Sequence, residues 1–510
     1  MMSRPKAFAA LLSLSLLGAC SAPSPGGGEA THLRVLATDD FHGALLPRTY
    51  PWSDQREVGG AAALKAYMDR AAEECSCTTL RLDGGDVMQG TLQSNLVHGE
   101  SSVAAFNLLG VDAAAIGNHE LDWGVDVLRE RLRDAQFAWL AANVFRRDTG
   151  ERPDWARPWT VIERDGLKIG LIGYVTARTA VIVPQTVVAP YEFRPGYAGI
   201  ADAVEAVHEA GAAFVAIVAH AGGECEADAC SGEMVDLARE LPEGAVDLIV
   251  GGHTHAPGQG VVNGVPIVRP GANAARLAVI DFYRQPNGGE SFEVAIEPLY
   301  VDAVVPDAKM SALLEPWIAE AQQIADQPIV TLAEPLSNSP SGNRKLGDMI
   351  TDAVRSTAEA DLALTNPGGV RAPLPAGPIS YDDVYRVRPF GNEVVKLRIT
   401  GATLRQLIER AGNRYYYSNL SIGWNAEAAA GSRLVDLRFA DGREVGDESS
   451  YTLATSDYLA DAGDGLDMLA PLPREPMGLT VLDAMVSYLK TLDQPVRLPE
   501  EQRFRILTER

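Results

Sequence analysis

The chain has 510 residues, 44 of them Lys or Arg and 68 Asp or Glu, for a formal net charge of −24. That length exceeds what one hydrophobic core serves, since single cores stop growing at about 250–300 residues, and the balance of 46% apolar to 22% charged residues excludes a wholly disordered chain or a collagen-like repeat. So negative a charge argues against a general nucleic-acid binder, which needs a basic face to displace counterions, but not against a small phosphorylated substrate, because bound cations reverse the sign locally.

Arg4 and Lys6 precede an apolar stretch, Ala7–Leu17, that is too short to span a bilayer. It ends in Leu17-Gly18-Ala19-Cys20, which resembles a bacterial lipobox. The resemblance implies a signal peptide over 1–19, a lipidated Cys20 and a periplasmic or extracellular address, with Ser21 favouring the outer membrane. The only membrane contact expected is this lipid anchor. Residues 20–31, rich in Ser, Pro and Gly, read as a flexible tether. Four further cysteines remain, Cys75, Cys77, Cys225 and Cys230. An exported chain meets an oxidising compartment, so disulfides are expected. Cys225–Cys230 closes a short loop and is the favoured pair; Cys75–Cys77 and cross-pairing stay open, and the spacing fits no familiar zinc-ribbon pattern.

From Leu33 onward, short β-branched runs alternate with helical patterns. Leu33–Thr38, Thr79–Asp83, Ala113–Ile116, Ile169–Val175, Phe214–His220 and Leu248–Val250 read as buried strands. Ala61–Glu74, Val125–Asp134 and Ile200–Ala210 read as the helices between them, and Val261–Arg269 and Leu277–Tyr283 as closing strands. Such alternation predicts an α/β fold with helices covering the sheets. Pro306–Gln323 turns helical, with Met310, Leu313, Leu314, Trp317 and Ile318 at helical spacing, and Pro328 stops it. The stretch reads as a helical linker (304–328) between a first domain (32–303) and a second, mixed α/β domain (329–510).

Five predicted strand ends carry metal-binding residue types. They are Thr38-Asp39-Asp40-Phe41-His42, Asp83-Gly84-Gly85-Asp86, Gly117-Asn118-His119-Glu120-Leu121-Asp122, Ala219-His220-Ala221 and Gly252-His253-Thr254-His255. Each fragment alone is weak. Together they hold five of the chain's eight histidines, and open α/β sheets present ligands at such strand ends. Residues two apart on an extended segment share a face, so Asp40 with His42, and His253 with His255, can reach one ion. Nitrogen and oxygen donors without thiolate suit Zn, Mn, Fe or Co. In the second domain, Asn366-Pro367-Gly368-Gly369-Val370-Arg371 follows a strand; its glycines allow close backbone approach, and Arg371 offers paired hydrogen bonds to phosphate.

The ordered set resembles the calcineurin-type metallophosphoesterases and, within them, the bacterial periplasmic 5′-nucleotidase family. The resemblance implies a four-layer α/β/β/α metallophosphoesterase domain followed by a smaller mixed α/β substrate-binding domain, the two closing by hinge motion. It implies two divalent metal ions (Zn, Mn or Co) bridged by Asp86, with Asp40, His42 and His255 on one and Asn118, His220 and His253 on the other. It implies a catalytic dyad of His119 and Asp122, with Glu120 structural. Asn366, Gly368, Gly369, Arg371, Tyr417, Asn419, Tyr458 and Asp464 fall at or near the substrate-binding positions: Arg371 for phosphate, Tyr417 and Tyr458 as rings around a base, Asp464 for ribose hydroxyls. Arg344 lies close to further phosphate-binding positions. Tyr415-Tyr416-Tyr417 offers three aromatics, of which Tyr417 is favoured. The expected function is hydrolysis of nucleoside 5′-monophosphates, with nucleotide sugars or di- and triphosphates as further substrates, by a monomer. The alternatives are a 2′,3′-cyclic-nucleotide phosphodiesterase with 3′-nucleotidase activity, a thiosulfohydrolase-like relative, or a non-enzymatic lipoprotein that captures nucleotides or metals.

Overall fold

The computed structural model describes residues 31–226, 229–285, 289–337 and 344–507. The signal peptide, Cys20 and all but the last residue of the tether lie outside the described residues. Among the described residues, no helix is long and apolar enough to cross a membrane.

The first domain is built on twelve strands: β1 (Thr31–Thr38), β2 (Thr78–Asp83), β3 (Ala113–Ala115), β4 (Ala138–Leu140), β5 (Trp159–Arg164), β6 (Leu167–Val175), β7 (Phe214–His220), β8 (Leu248–Gly251), β9 (Gly258–Val262), β10 (Val265–Arg269), β11 (Arg276–Arg284) and β12 (Glu290–Pro298). They form two six-stranded sheets, ordered β12-β11-β1-β2-β3-β4 and β9-β10-β8-β7-β6-β5. Both sheets are mixed. β1 to β4 run parallel, and β11 and β12 add antiparallel strands.

Burial on both faces explains the continuous apolar runs. Every residue of β7 is buried. Phe214, Ala216 and Val218 meet Leu80, Leu82 and Val35 of the first sheet, whereas Val215, Ile217 and Ala219 meet Val204, Val207 and Leu237 of the covering helices. On the outside of the first sheet, Leu64, Met68, Val103 and Phe106 form the matching layer. The result is the expected four layers, α/β/β/α.

Two predicted elements differ from those observed. Val261–Arg269 is not one strand but the β9–β10 hairpin, turning at Asn263-Gly264 with φ of 52° and 79°. Positive φ at both turn residues matches the right-handed twist of the flanking strands, which is why Asn-Gly favours such turns. The helix Glu100–Leu109, capped by left-handed Gly110, was not among the predicted elements.

The helix Ala308–Ala325 starts at Asp307, whose carboxylate accepts the Met310 N–H at 2.7 Å. Its first half packs Met310 and Leu314 into the first domain's core; its second half packs Ala321 and Ala325 into the core that follows. It therefore both closes one domain and opens the next. The second domain has a five-stranded sheet with helices on both faces: Lys345–Ala358 and Val481–Thr491 on one, Gly401–Ala411 on the other.

Candidate active site

The metal-binding residue types converge where β1, β2, β3, β7 and β8 end. Asp40, His42, Asp86, His253 and His255 all hold left-handed backbone, with φ between 47° and 74°. Such backbone is unfavourable for L residues and gathers at functional sites where the surroundings enforce it.

Two donor groups form. Asp40, His42 and His255 make one; Asp40, Asp86 and His220 make the other, the ligand atoms of each within 4.8 Å of one another. Asp40 is common to both, and Asp86 of the second group reaches toward the first. Its Oδ2 is 3.1 Å from His220 Nε2 and 3.8 Å from His42 Nε2, while its Oδ1 accepts the His119 backbone N–H at 2.9 Å. Asn118 Oδ1 is 3.1 Å from His220 Nε2, and the His253 and His220 rings lie 5.1 Å apart. Five of the seven sequence-predicted donors fall in these two groups, and Asn118 and the His253 ring lie beside His220.

The imidazoles are aimed by their outer nitrogens. His42 Nδ1 donates to the Gln89 carbonyl at 2.7 Å and His220 Nδ1 to the Gly84 carbonyl at 3.0 Å. Each turns Nε2 inward, the second-sphere arrangement that metal-binding histidines use. Burial lowers His253 to about 4 and His255 to about 3, keeping both rings neutral and able to ligate. Burial also opposes charge on His220, but Asp86 and Asp40 outweigh it and raise that ring to about 10.

The donor set fits divalent cations. Asp40 is wholly buried and its Oδ1 has no hydrogen-bond partner, while His42 Nε2 and His255 Nε2 face each other at 3.0 Å. A buried carboxylate oxygen left unpaired is costly, and a cation would satisfy it together with both nitrogens. Two glycines make room. A Cβ on Gly117 would stand 2.1 Å from Asp86 Oδ1, and one on Gly369 would stand 1.8 Å from Arg388 Nη1.

Glu120 is the anchor of this loop. Fully buried, its carboxylate accepts from the backbone N–H of Asp86, Val87, Met88 and Gly117 at 2.7–3.2 Å. Burial, then the Asp86 charge, raises it to about 7. Glu120→Ala orphans four buried donors and should destabilise the protein on the order of 3 kcal/mol or more, read as a lowered midpoint in urea unfolding.

His119 and Asp122 sit on the 3-10 turn His119–Leu121 and its cap, with His119 Nδ1 2.7 Å from Asp122 Oδ2. Burial lowers His119, but Asp122 and Asp86 together raise it. The other face of the ring lies 5.8 Å from Phe390 of the second domain. That domain also delivers Arg371, whose Nη2 is 3.1 Å from His255 Nε2. A cleft of about 690 Å³ lies between the domains, lined by Asn118, His119, Asp122, His253, Asn366, Gly368, Gly369, Arg371, Phe390, Tyr458 and Asp464. On its far wall, Asp464 accepts from Tyr458 Oη at 2.7 Å and from Asn366 Nδ2 at 2.9 Å.

Three sequence-predicted positions are corrected. Tyr417 does not face the cleft. Its ring stacks on Phe504 at 6.0 Å inside the second domain's core, and its hydroxyl donates to the Gly412 carbonyl. Asn419 occupies a left-handed turn and donates to the Asp361 carbonyl. Arg344 donates to the carbonyls of Asn413 and Tyr415 and lines a separate cavity. Tyr458 is the tyrosine that lines this wall, and of the three consecutive tyrosines Tyr415 approaches it from the core, its hydroxyl donating to Asp464 Oδ2 at 3.4 Å. Alternation could not separate Tyr415 from Tyr417, because residues two apart share a face. Arg388, in a block that the resemblance to the family marks as structural, is 1% exposed, with Nε and Nη1 unpaired behind the Gly368-Gly369 loop. Cys225 and Cys230 are bonded across a small hairpin, as expected, and Cys75 is bonded to Cys77.

Fold and donor set together define a metallophosphoesterase-type α/β/β/α domain joined to a second α/β domain. The family model of the 5′-nucleotidase C-terminal domain matches residues 324–471, and that of the bacterial capsule synthesis protein PGA_cap matches 74–268. The chain is 29% identical to protein UshA of Escherichia coli over 91% of its own length and 92% of that protein's. It is 29% identical to endonuclease YhcR of Bacillus subtilis over 94% of its length, but spans only 41% of that larger protein. Among solved structures, the 5′-nucleotidase precursor of Thermus thermophilus superposes with a TM-score of 0.83 at 26% identity, covering 94% of this chain and all of that one. These similarities support the 5′-nucleotidase family, in which a metallophosphoesterase domain is followed by a 5′-nucleotidase C-terminal domain.

Proposed function

We propose that this protein hydrolyses nucleoside 5′-monophosphates to nucleoside and phosphate, outside the cytoplasm, on a lipid anchor at Cys20. One observation carries the reading: donors from the first domain and Arg371, Tyr458 and Asp464 from the second border the same cleft. Asp40, His42 and His255 would hold one cation, and Asn118, His220 and His253 a second, with Asp86 shared. Zn, Mn or Co suits such donors. Bound there, the cations supply Lewis acidity toward the phosphoryl oxygens and the attacking water.

The chain's own groups do the rest. Arg371 holds the phosphate by paired N–H donors, a geometry a guanidinium offers and an ammonium does not. His119, whose charged form Asp122 and Asp86 favour, can place positive charge and a proton where the leaving oxygen develops charge. Tyr415 and Tyr458 flank the base, and Asp464 accepts from ribose hydroxyls. Substrate entry requires the domains to part, breaking the bonds from Gln89 Nε2 and Asn95 Nδ2 to the Pro389 carbonyl, at 2.8 and 2.9 Å.

Phosphate release from 5′-AMP, 3′-AMP and 2′,3′-cyclic AMP tests this directly. Release from 5′-AMP should dominate, vanish in chelator and return when Mn, Zn or Co is added back. Preference for the 3′ or cyclic substrate, or resistance to chelation, would overturn it.

A further inference from the structure

One other group of metal-binding side chains stands far from the cleft, at the opposite end of β1. His32, Cys75, Cys77 and Asp281 place one ligand atom each within 4.8 Å of one another. β1 and β2 run parallel with Leu33 opposite Thr78, so His32 and Cys77 are neighbours at the start of the two strands. Asp40 lies eight residues further along, roughly 25 Å away at about 3.3 Å per residue.

The four side chains have different roles. The Asp281 carboxylate is already engaged by Arg34, whose Nε and Nη2 donate at 2.9 and 2.8 Å. It also takes His32 Nε2 at 2.7 Å. The His32 ring is fixed further by stacking on Tyr283, with centroids 4.5 Å apart. The Cys75 sulfur lies beside the ring, 3.7 Å from Nδ1 and 3.9 Å from Nε2. A carboxylate on Nε2 fixes the ring with Nδ1 left free of it and sulfur close by, and a carboxylate on the outer nitrogen is the second-sphere device of metal-binding histidines. The group is half-buried, with the His32 side chain 31% exposed, so solvent and ions reach it.

We propose that Cys75, Cys77 and His32 Nδ1 form a redox-gated zinc site, with Asp281 as outer-sphere partner and water in the fourth position. In the oxidised protein the Cys75–Cys77 disulfide closes the site. A dithiol reductant opens it. Its thiolate attacks one sulfur, its second thiolate resolves the mixed disulfide, and the reductant leaves as a cyclic disulfide having given two electrons. Cys75 and Cys77 are left as thiols. Zn²⁺ then takes both sulfurs as thiolates and the His32 lone pair, and two protons pass to solvent. Two thiolates, one imidazole and an open position make an ordinary tetrahedral zinc set. Cys225–Cys230 is the internal control, because among the described residues no histidine or acid completes a ligand group there.

Cobalt titration of the full chain tests this. The catalytic donors contain no sulfur, so a thiolate-to-cobalt charge-transfer band in the near ultraviolet reports only a cysteine site. The protein is reduced with a dithiol, freed of metal and titrated with Co²⁺ without oxygen. The expected result is a band whose amplitude corresponds to one thiolate-bound cobalt per chain, that saturates within three equivalents because the cleft donors take two, is bleached by Zn²⁺, and is missing from the oxidised protein. The band should persist in the Cys225→Ser/Cys230→Ser variant and be lost in Cys75→Ser/Cys77→Ser, which should still release phosphate like the parent. His32→Ala should weaken cobalt binding about tenfold or more. No band in the reduced parent, or a band that survives Cys75→Ser/Cys77→Ser, would overturn the proposal.

Discussion

Asp86→Asn should leave a folded protein that loses at least one bound metal ion and about 10³-fold or more of its phosphate release, a larger loss than deleting one preorganised donor costs. Asp86 Oδ2 stands between His220 Nε2 and His42 Nε2, one from each donor group, so its negative charge serves both. The amide keeps the shape and can still accept the His119 N–H through its oxygen, so the loop held by Glu120 has no reason to unfold. It cannot keep the charge. Asp86 is held well below the usual carboxylate range: burial opposes its ionisation, but the surrounding imidazoles, His220 foremost, overcome that cost. Elemental analysis of parent and variant, beside circular dichroism, checks the result. A variant that retains two ions per chain would show that Asp86 is not shared.

The cluster of donor residues was legible because each fragment is local. Asp40 and His42 lie within three residues, as do His253 and His255, and each fragment closes a strand whose apolar run marks where it ends. Topology then brings the strand ends together without requiring any knowledge of packing. The same logic made β7 readable, since an unbroken apolar run needs both faces covered. The far wall of the cleft was less legible because it depends on contacts distant in sequence. Tyr417 is held in the core by Phe504, and nothing within the Tyr415-Tyr416-Tyr417 run reports that partner. Arg344 was ambiguous for the same reason: the carbonyls that capture it belong to residues 413 and 415, across the domain. Glu120 was readable as structural, but its four backbone donors come together only once the loops after β2 and β3 meet. The hairpin at Asn263-Gly264 is a different case. Its turn signal is local, and the apolar residues on both sides masked it.

His119→Ala should cost about 10²–10⁴ in turnover, the range for a positioned acid or base, and leave the bound metal unchanged. His119 Nδ1 is spent on Asp122, and the ring belongs to neither donor group, so its loss removes a charge and a proton but no ligand. The Phe390 ring lies 5.8 Å from it across the cleft, and the vacancy left by Ala admits water in place of a fixed cation. Asp122→Asn separates the two roles. The amide oxygen can still accept from Nδ1–H, so orientation persists, but the anion that raises His119 is gone. Removing a negative neighbour lowers the pKa of an imidazolium. If the cationic ring is the active form, activity falls as pH rises through that pKa, so the alkaline limb of the Asp122→Asn profile should move to lower pH with a smaller loss at its optimum. A pH profile of kcat for parent, His119→Ala and Asp122→Asn, with metal content measured on the same samples, checks both steps. An alkaline limb that stays in place in Asp122→Asn would assign that limb to another group and leave Asp122 only the task of orienting the ring.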